Sequence, residues 1–166
     1  MKISLLSDTH GYLDDAILKF CSSGDEIWHA GDWGGNVAEP LETLGKKLRG
    51  VYGNIDGRQI RSHYPEMNIF DIGGIKVVMI HIGGYPGRYS KGITDILDNE
   101  KADLFISGHS HILKVMPDKK RNLLHMNPGA AGKHGFHKMR TMIQFEIESG
   151  QIKNLNAIEL GPRAKI

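Results

Sequence analysis

Seven side chains able to bind a metal or move a proton stand where apolar runs of this sequence end: Asp8 and His10, then Asp32, Asn54, His81, and finally His109 and His111. In Asp8-Thr9-His10 and His109-Ser110-His111 the paired groups are two residues apart, and side chains at i and i+2 of an extended chain share a side, so each pair can clasp one ion. Two aspartates, one asparagine and four histidines offer imidazole nitrogen with carboxylate or amide oxygen. That mixture suits Mn, Fe, Co, Ni or Zn rather than Ca. Seven donors exceed one tetrahedral site, so two ions sharing a carboxylate is the economical reading. Gly11, Gly31, Gly53, Gly83 and Gly108 beside these groups permit tight turns and close backbone approach.

Donors so far apart in sequence converge only if a fold brings them to one edge. "KISLL" reads as a strand ending at Ser7-Asp8, followed by a helix within residues 12–24. "DEIWHAGD" repeats the pattern, followed by a helix over 36–48 that Pro40 and Gly45 interrupt. "RGVYGN" is a third strand, ending at Asn54. Strand–loop–helix units argue for parallel strands, whose carboxyl ends share the edge where ligands bind. The rhythm then changes. "MNIFDIGGIKVVMIHI" is a hairpin turning at Gly73-Gly74, and "SKGITDILDNEKA" is a helix with Ser90 as its N-cap. "DLFISGHSH" is another strand, and the tail holds two hairpins turning near Pro117-Asp118 and Ser149-Gly150. The reading is one α/β domain over residues 1–166 with both parallel and antiparallel strands.

Composition excludes several classes. A net charge of +2 with dispersed lysines and arginines gives no footprint for nucleic acid. No stretch approaches the roughly 20 apolar residues of a membrane span, and the run before Asp8 is too short for a signal sequence. One cysteine, Cys21, cannot form an internal disulfide and fits the cytoplasm.

The ordered set resembles the calcineurin-like metallophosphoesterases, and among them the small YfcE-type phosphodiesterases. The family pattern D-x-H, G-D, G-N-x-D, H, G-H-x-H is matched in order by "DTH" (8–10), "GD" (31–32), "GNID" (53–56), "HIGG" (81–84) and "GHSH" (108–111). "NPGA" (127–130) is similar to the family's late N-P-G-S turn. The resemblance implies a four-layer α/β/β/α sandwich with mixed sheets. It places Asp8, His10, Asp32 and His111 around one metal and Asp32, Asn54, His81 and His109 around the other, with Asp32 bridging. Mn is the first choice of metal and Fe, Ni, Co or Zn the alternatives. Asp32, Asn54 and His81 would take part in the reaction, in-line attack on phosphorus by a hydroxide shared between the ions. Asp56 would orient a ligand or its loop.

Ile55 is where the sequence departs from many larger members, which carry histidine there. An imidazole at that position can contact phosphate and supply a proton, typically worth about 10²–10⁴-fold. The resemblance implies that members lacking it favour phosphodiesters or activated esters over dianionic monoesters, so the expected activity is a phosphodiesterase acting on a small phosphoester. A phosphomonoesterase or nucleotide pyrophosphatase with the same centre is the alternative within chemistry. Outside it stands a protein-binding scaffold, since the retromer's small subunit resembles this fold. A homodimer or tetramer is compatible with the family.

Arg58, Arg88 and Tyr89 fall in loops that could hold a substrate phosphate, a surface role being equally open. His134 and His137 follow the N-P-G turn and could replace the absent acid, but nothing in the spacing points them inward. His29 reads as packed structure or support for a ligand, Trp28 and Trp33 as packing residues, and His63 and His125 receive no role.

Overall fold

The computed structural model describes residues 1–164. Strands β1 (Lys2–Leu6), β2 (Glu26–His29) and β3 (Lys47–Gly50) run parallel. Long antiparallel strands β11 (Met139–Glu148) and β12 (Gln151–Pro162) extend the sheet beyond β1, in the order β12-β11-β1-β2-β3. A second sheet has the order β4-β5-β8-β10-β9, from β4 (Met67–Ile72), β5 (Ile75–Ile80), β8 (Leu104–Ile106), β9 (Leu113–Asp118) and β10 (Leu123–Pro128). Its centre, β5-β8-β10, is parallel and both edges are antiparallel. Helices α1 (Asp15–Ser22), α2 (Ala38–Thr43), α3 (Arg58–His63) and α4 (Ile93–Glu100) complete the chain with a two-strand ribbon, β6 (Gly84–Tyr85) and β7 (Arg88–Tyr89).

Period-two alternation divides the apolar residues among three cores. Ile3 and Leu5 of β1, Ile143 and Phe145 of β11, Val77 and Met79 of β5 and Leu104 and Ile106 of β8 meet between the sheets, around Trp28. The opposite face of the first sheet packs Leu6, Ile27 and Met142 against Ile17 and Cys21 of α1, Leu41 of α2 and Ile60 of α3. On the outer face of the second sheet, Val78 and Phe105 pack against Ile93 and Leu97 of α4. The layers are therefore helices, sheet, sheet, helix, the expected sandwich. Among the described residues no helix is long and apolar enough to cross a membrane.

Local signals explain where the elements start and stop. Asp14 caps α1, its Oδ1 accepting the Ile17 N–H at 3.0 Å. The hairpins β4-β5 and β11-β12 turn at Gly73-Gly74 and Ser149-Gly150, with both central φ values positive as a type I′ turn requires.

Several elements differ from the sequence reading. The helix over 36–48 is only six residues long: Gly45 turns left-handed (φ +68°), and the chain enters β3 at Lys47 to pair with β2. The third strand thus ends at Gly50, four residues before Asn54. Helix α3 was not anticipated, since only Ile60 of its six residues is buried and no periodicity marks it. Ser90 does not cap α4; Gly92 occupies that position, while the Ser90 carbonyl accepts the Ile93 N–H.

His125, buried on β10, donates from Nδ1 to the Phe105 carbonyl at 3.2 Å. Burial pushes its pKa down to about 4 from 6.5. Its folded-state pKa is depressed, so its contribution to stability is complete above pH 6.5 and is lost as pH falls toward 4, by roughly 3 kcal/mol. In denaturant unfolding, His125→Met should shrink the stability difference between pH 7 and pH 4 by roughly that amount; equal pH dependence in variant and parent would contradict this.

Candidate metal centre

The loops after β1, β2, β5 and β8 meet at one end of the sandwich, joined by the 51–57 segment after β3. Backbone hydrogen bonds zip the first two together: Asp8 N–H to Gly31 O, His10 N–H to Asp32 O and Gly11 N–H to Trp33 O. At the edge of the second sheet Gly108 N–H donates to His81 O, and His109 N–H crosses between sheets to Asp8 Oδ2 at 3.1 Å.

The structure brings all seven sequence candidates together, but not through extended backbone. Asp8, His10, Asp32, His109 and His111 have φ between +46° and +69°. Left-handed conformation is uncommon for residues other than glycine and concentrates at functional sites. The paired donors converge because the chain bends sharply at each one, a correction to the i, i+2 argument. Gly53 is required by contact: a Cβ there would overlap the Asp32 carboxylate.

Two groups result, Asp8-His10-His111 and Asp32-His81-His109. Asp8 Oδ1 lies 3.1 Å from His111 Nε2 and 3.8 Å from His10 Nε2. Asp32 Oδ2 stands between the groups, 3.6 Å from His10 Nε2 and 3.3 Å from His81 Nε2. Asn54 Oδ1 is 3.0 Å from His109 Nδ1, which sets the amide beside the second group.

The remaining hydrogen bonds show which atoms are left to face inward. Asp8 Oδ2 is taken by Ser7 Oγ and His109 N–H, and Asp32 Oδ1 accepts the Ile55 N–H at 3.0 Å. His81 donates from Nδ1 to Ala30 O at 2.7 Å, so on the neutral ring, the form that can bind a metal, Nε2 presents a lone pair. His137 Nε2 donates to Gly132 O, so its Nδ1 accepts from His111 Nδ1–H at 3.3 Å, and His111 Nε2 likewise presents a lone pair. Asp8 Oδ1 and His81 Nε2 are buried without a hydrogen-bond partner among the described residues. Acceptors facing acceptors in a buried site fit a cation, and the donor set fits a divalent transition metal.

Electrostatics follow from this crowding. Burial opposes protonation of His81, but the Asp32 and Asp8 carboxylates outweigh it and raise its pKa. For His10 burial prevails over the same carboxylates and lowers it. Burial alone would raise Asp32; His81 and the Ile55 N–H hold it low.

Supporting residues fix the loops. The Asp56 carboxylate accepts N–H groups from Trp33, Gly34 and Gly53, tying the 32–34 loop to the 53–56 loop. Asn127 donates to Gly108 O and Ser110 Oγ, which gives the N-P-G turn a task in holding the His109-His111 loop. His29, kept neutral by burial, bonds Thr9 Oγ and stacks on Trp33 at 3.9 Å.

A cavity of about 490 Å³ opens over the centre, lined by His10, Asp32, Asn54, Ile55, His109, Ser110, His111, Ile112 and the 134–137 segment. Arg58, Arg88 and Tyr89 do not line it. Arg58 is the exposed first residue of α3, and exposed Arg88 belongs to the β6-β7 ribbon. The Tyr89 hydroxyl is bound to Asp118 at 2.7 Å. Conversely, His134 does face the cavity, 4.8 Å from His10 between ring centres, and His137 touches His111. The N-P-G motif marked where this segment starts, but no residue spacing encodes the direction in which an irregular loop folds back. His137→Ala should weaken Mn²⁺ binding by about 10–100-fold in calorimetric titration, with partial recovery in His137→Gln, whose amide oxygen can accept the His111 N–H. Unchanged affinity in the alanine variant would remove the role assigned to His137.

Comparison with known proteins identifies the fold and the family. The chain is 29% identical over 138 residues to the Methanothermobacter thermautotrophicus protein named "Probable metallophosphoesterase", covering 78% of this chain and 77% of that one. Among solved structures, a novel archaeal phosphodiesterase superposes with a TM-score of 0.77 at 21% identity, over 96% of this chain and 100% of that one. Zinc-complexed Vps29 from Entamoeba histolytica superposes with a TM-score of 0.74 at 17% identity, over 99% and 100%. These two structures share the fold. The family model for the calcineurin-like phosphoesterase superfamily domain matches residues 1–150, and the chain belongs to that superfamily.

Proposed function

We infer that the protein hydrolyses phosphodiesters at a centre of two divalent metal ions, with Mn²⁺ the first choice, Asp8, His10, Asp32 and His111 holding one ion and Asp32, Asn54, His81 and His109 the other. The observation that carries this reading is the position of Asp32 Oδ2 between two donor groups, beside the buried Asp8 Oδ1 and His81 Nε2 that have no hydrogen-bond partner among the described residues. Bound there, the ions would lower the pKa of a water and draw charge from the phosphoryl oxygens.

The chain's own residues do the rest. Ile55 N–H and the Gly53 backbone hold the Asp32 carboxylate in one orientation. Ala30 O and His137 keep His81 and His111 in the tautomers that aim Nε2 inward. Water supplies the new P–O bond, the bond to the leaving ester oxygen breaks, and that oxygen takes a proton.

Diester over monoester rests on two observations. Ile55 lines the cavity and offers neither proton nor charge, and among the described residues none that lines it is lysine or arginine. A dianionic monoester lacks the fixed guanidinium or ammonium that it favours, whereas a diester carries one negative charge.

With Mn²⁺, bis-p-nitrophenyl phosphate should be cleaved faster than p-nitrophenyl phosphate, and Asp32→Asn should lower diester hydrolysis by about a hundredfold or more. Metal-loaded protein cleaving neither ester would set the reading aside. Ile55→His should raise monoester hydrolysis by about tenfold or more. No gain in a folded, metal-loaded variant would separate that position from the diester preference.

A further inference from the structure

The cavity joins a polar floor to an apolar rim. Phe136 is fully exposed, Ile112 is 60% exposed and Ile55 is 47% exposed, and all three line it. Ile82, also exposed, lines the adjoining depression beyond Asn54. Large apolar side chains left in water around a site mark where an apolar surface is to be received.

The rim is held in position. Phe136 follows Gly135, which lies so close to the His111 ring that a Cβ would collide with it. On its other side His137 is fixed to Gly132 O and His111, and its carbonyl accepts from Arg163 Nε at 2.8 Å. Phe136 therefore projects from a loop anchored on both flanks, directly beside the candidate metal ligands. Charge is as informative as shape. Arg61, in the adjoining depression, donates to the Asp56 and Gly53 carbonyls at 2.6 and 3.3 Å and lies over the Tyr52 ring, leaving its guanidinium engaged. At about 490 Å³ the cavity is of small-molecule size and extends well past a phosphoryl group.

We propose that the substrate is a phosphodiester monoanion carrying a flat, aromatic ester arm, which packs on Phe136 and Ile112 with Ile55 at its edge while the phosphoryl group lies over the metal centre. This rests on the phosphodiesterase reading and deepens it. The apolar rim selects the arm, and the floor selects the phosphoryl group.

The test separates binding from turnover. On Mn²⁺-loaded protein, calorimetry compares diphenyl phosphate with diethyl phosphate, two diesters of equal charge that differ in their arms. Diphenyl phosphate should bind about tenfold more tightly. Phe136→Ala and Ile112→Ala should each cut that ratio to about twofold, whereas Ile69→Ala, an exposed site on β4, should keep it. Equal affinities, or a ratio that the rim substitutions leave unchanged, would overturn the proposal and return the rim to a protein partner. Hydrolysis of bis-p-nitrophenyl phosphate is measured on the same samples. A preserved, rim-dependent ratio without hydrolysis would support the aromatic subsite while removing the hydrolytic reading.

Discussion

Everything at the functional end of this molecule depends on carboxylate and imidazole groups forced to face one another. Asp8 Oδ1 meets His111 Nε2 at 3.1 Å, and His81 Nε2 meets Asp32 Oδ2 at 3.3 Å, in surroundings that exclude water from Asp8 and His81. Left alone these atoms would turn to donors, but each side chain is held from behind, by Ala30 O, by His137, or by the N–H groups of Ile55 and His109. Preorganised acceptors of this kind cost stability in the apo protein and are matched to a cation. The left-handed backbone at five of the seven donors is part of the same cost.

What offsets it is the core between the sheets. The site draws donors from both sheets, and its cross-links are short: His81 of one sheet to Ala30 of the other, and His109 to Asp8. Their geometry is therefore only as constant as the sheet-to-sheet spacing, which Trp28, packed edge-on against Phe70 and Phe145, maintains. The apolar core between the sheets thus sets how donors from the two sheets meet within each group.

Much of this was legible because parallel strands leave a repeated signature, an apolar run followed by a polar group, and the shared edge of such strands is a consequence of topology. Asp8, Asp32, His81 and His109 could be placed that way. The register of Asn54 could not: β3 ends at Gly50, and the loop that carries Asn54 forward is set by the Asp56 carboxylate gathering three N–H groups from two loops. Arg58, Arg88 and Tyr89 do not line the cavity for a related reason, since loop membership says nothing about direction. Tyr89 turned toward Asp118 and Phe105, and the 134–137 segment turned inward because His137 found Gly132 and His111. Such contacts join residues through tertiary structure and have no periodicity to betray them.

Ile55 shows how one position can carry two independent functions. Its N–H supports Asp32 Oδ1, a contribution that any residue except proline could make, so the candidate bridging carboxylate is indifferent to the side chain. The side chain is consequently free to set the chemistry above the centre. Histidine there would add a proton donor and charge; isoleucine adds apolar surface continuous with the rim formed by Ile112 and Phe136. On the phosphodiesterase reading, the exchange would trade recognition of a doubly charged phosphoryl group for recognition of what is esterified to it, and it would leave the backbone N–H that supports Asp32 in place.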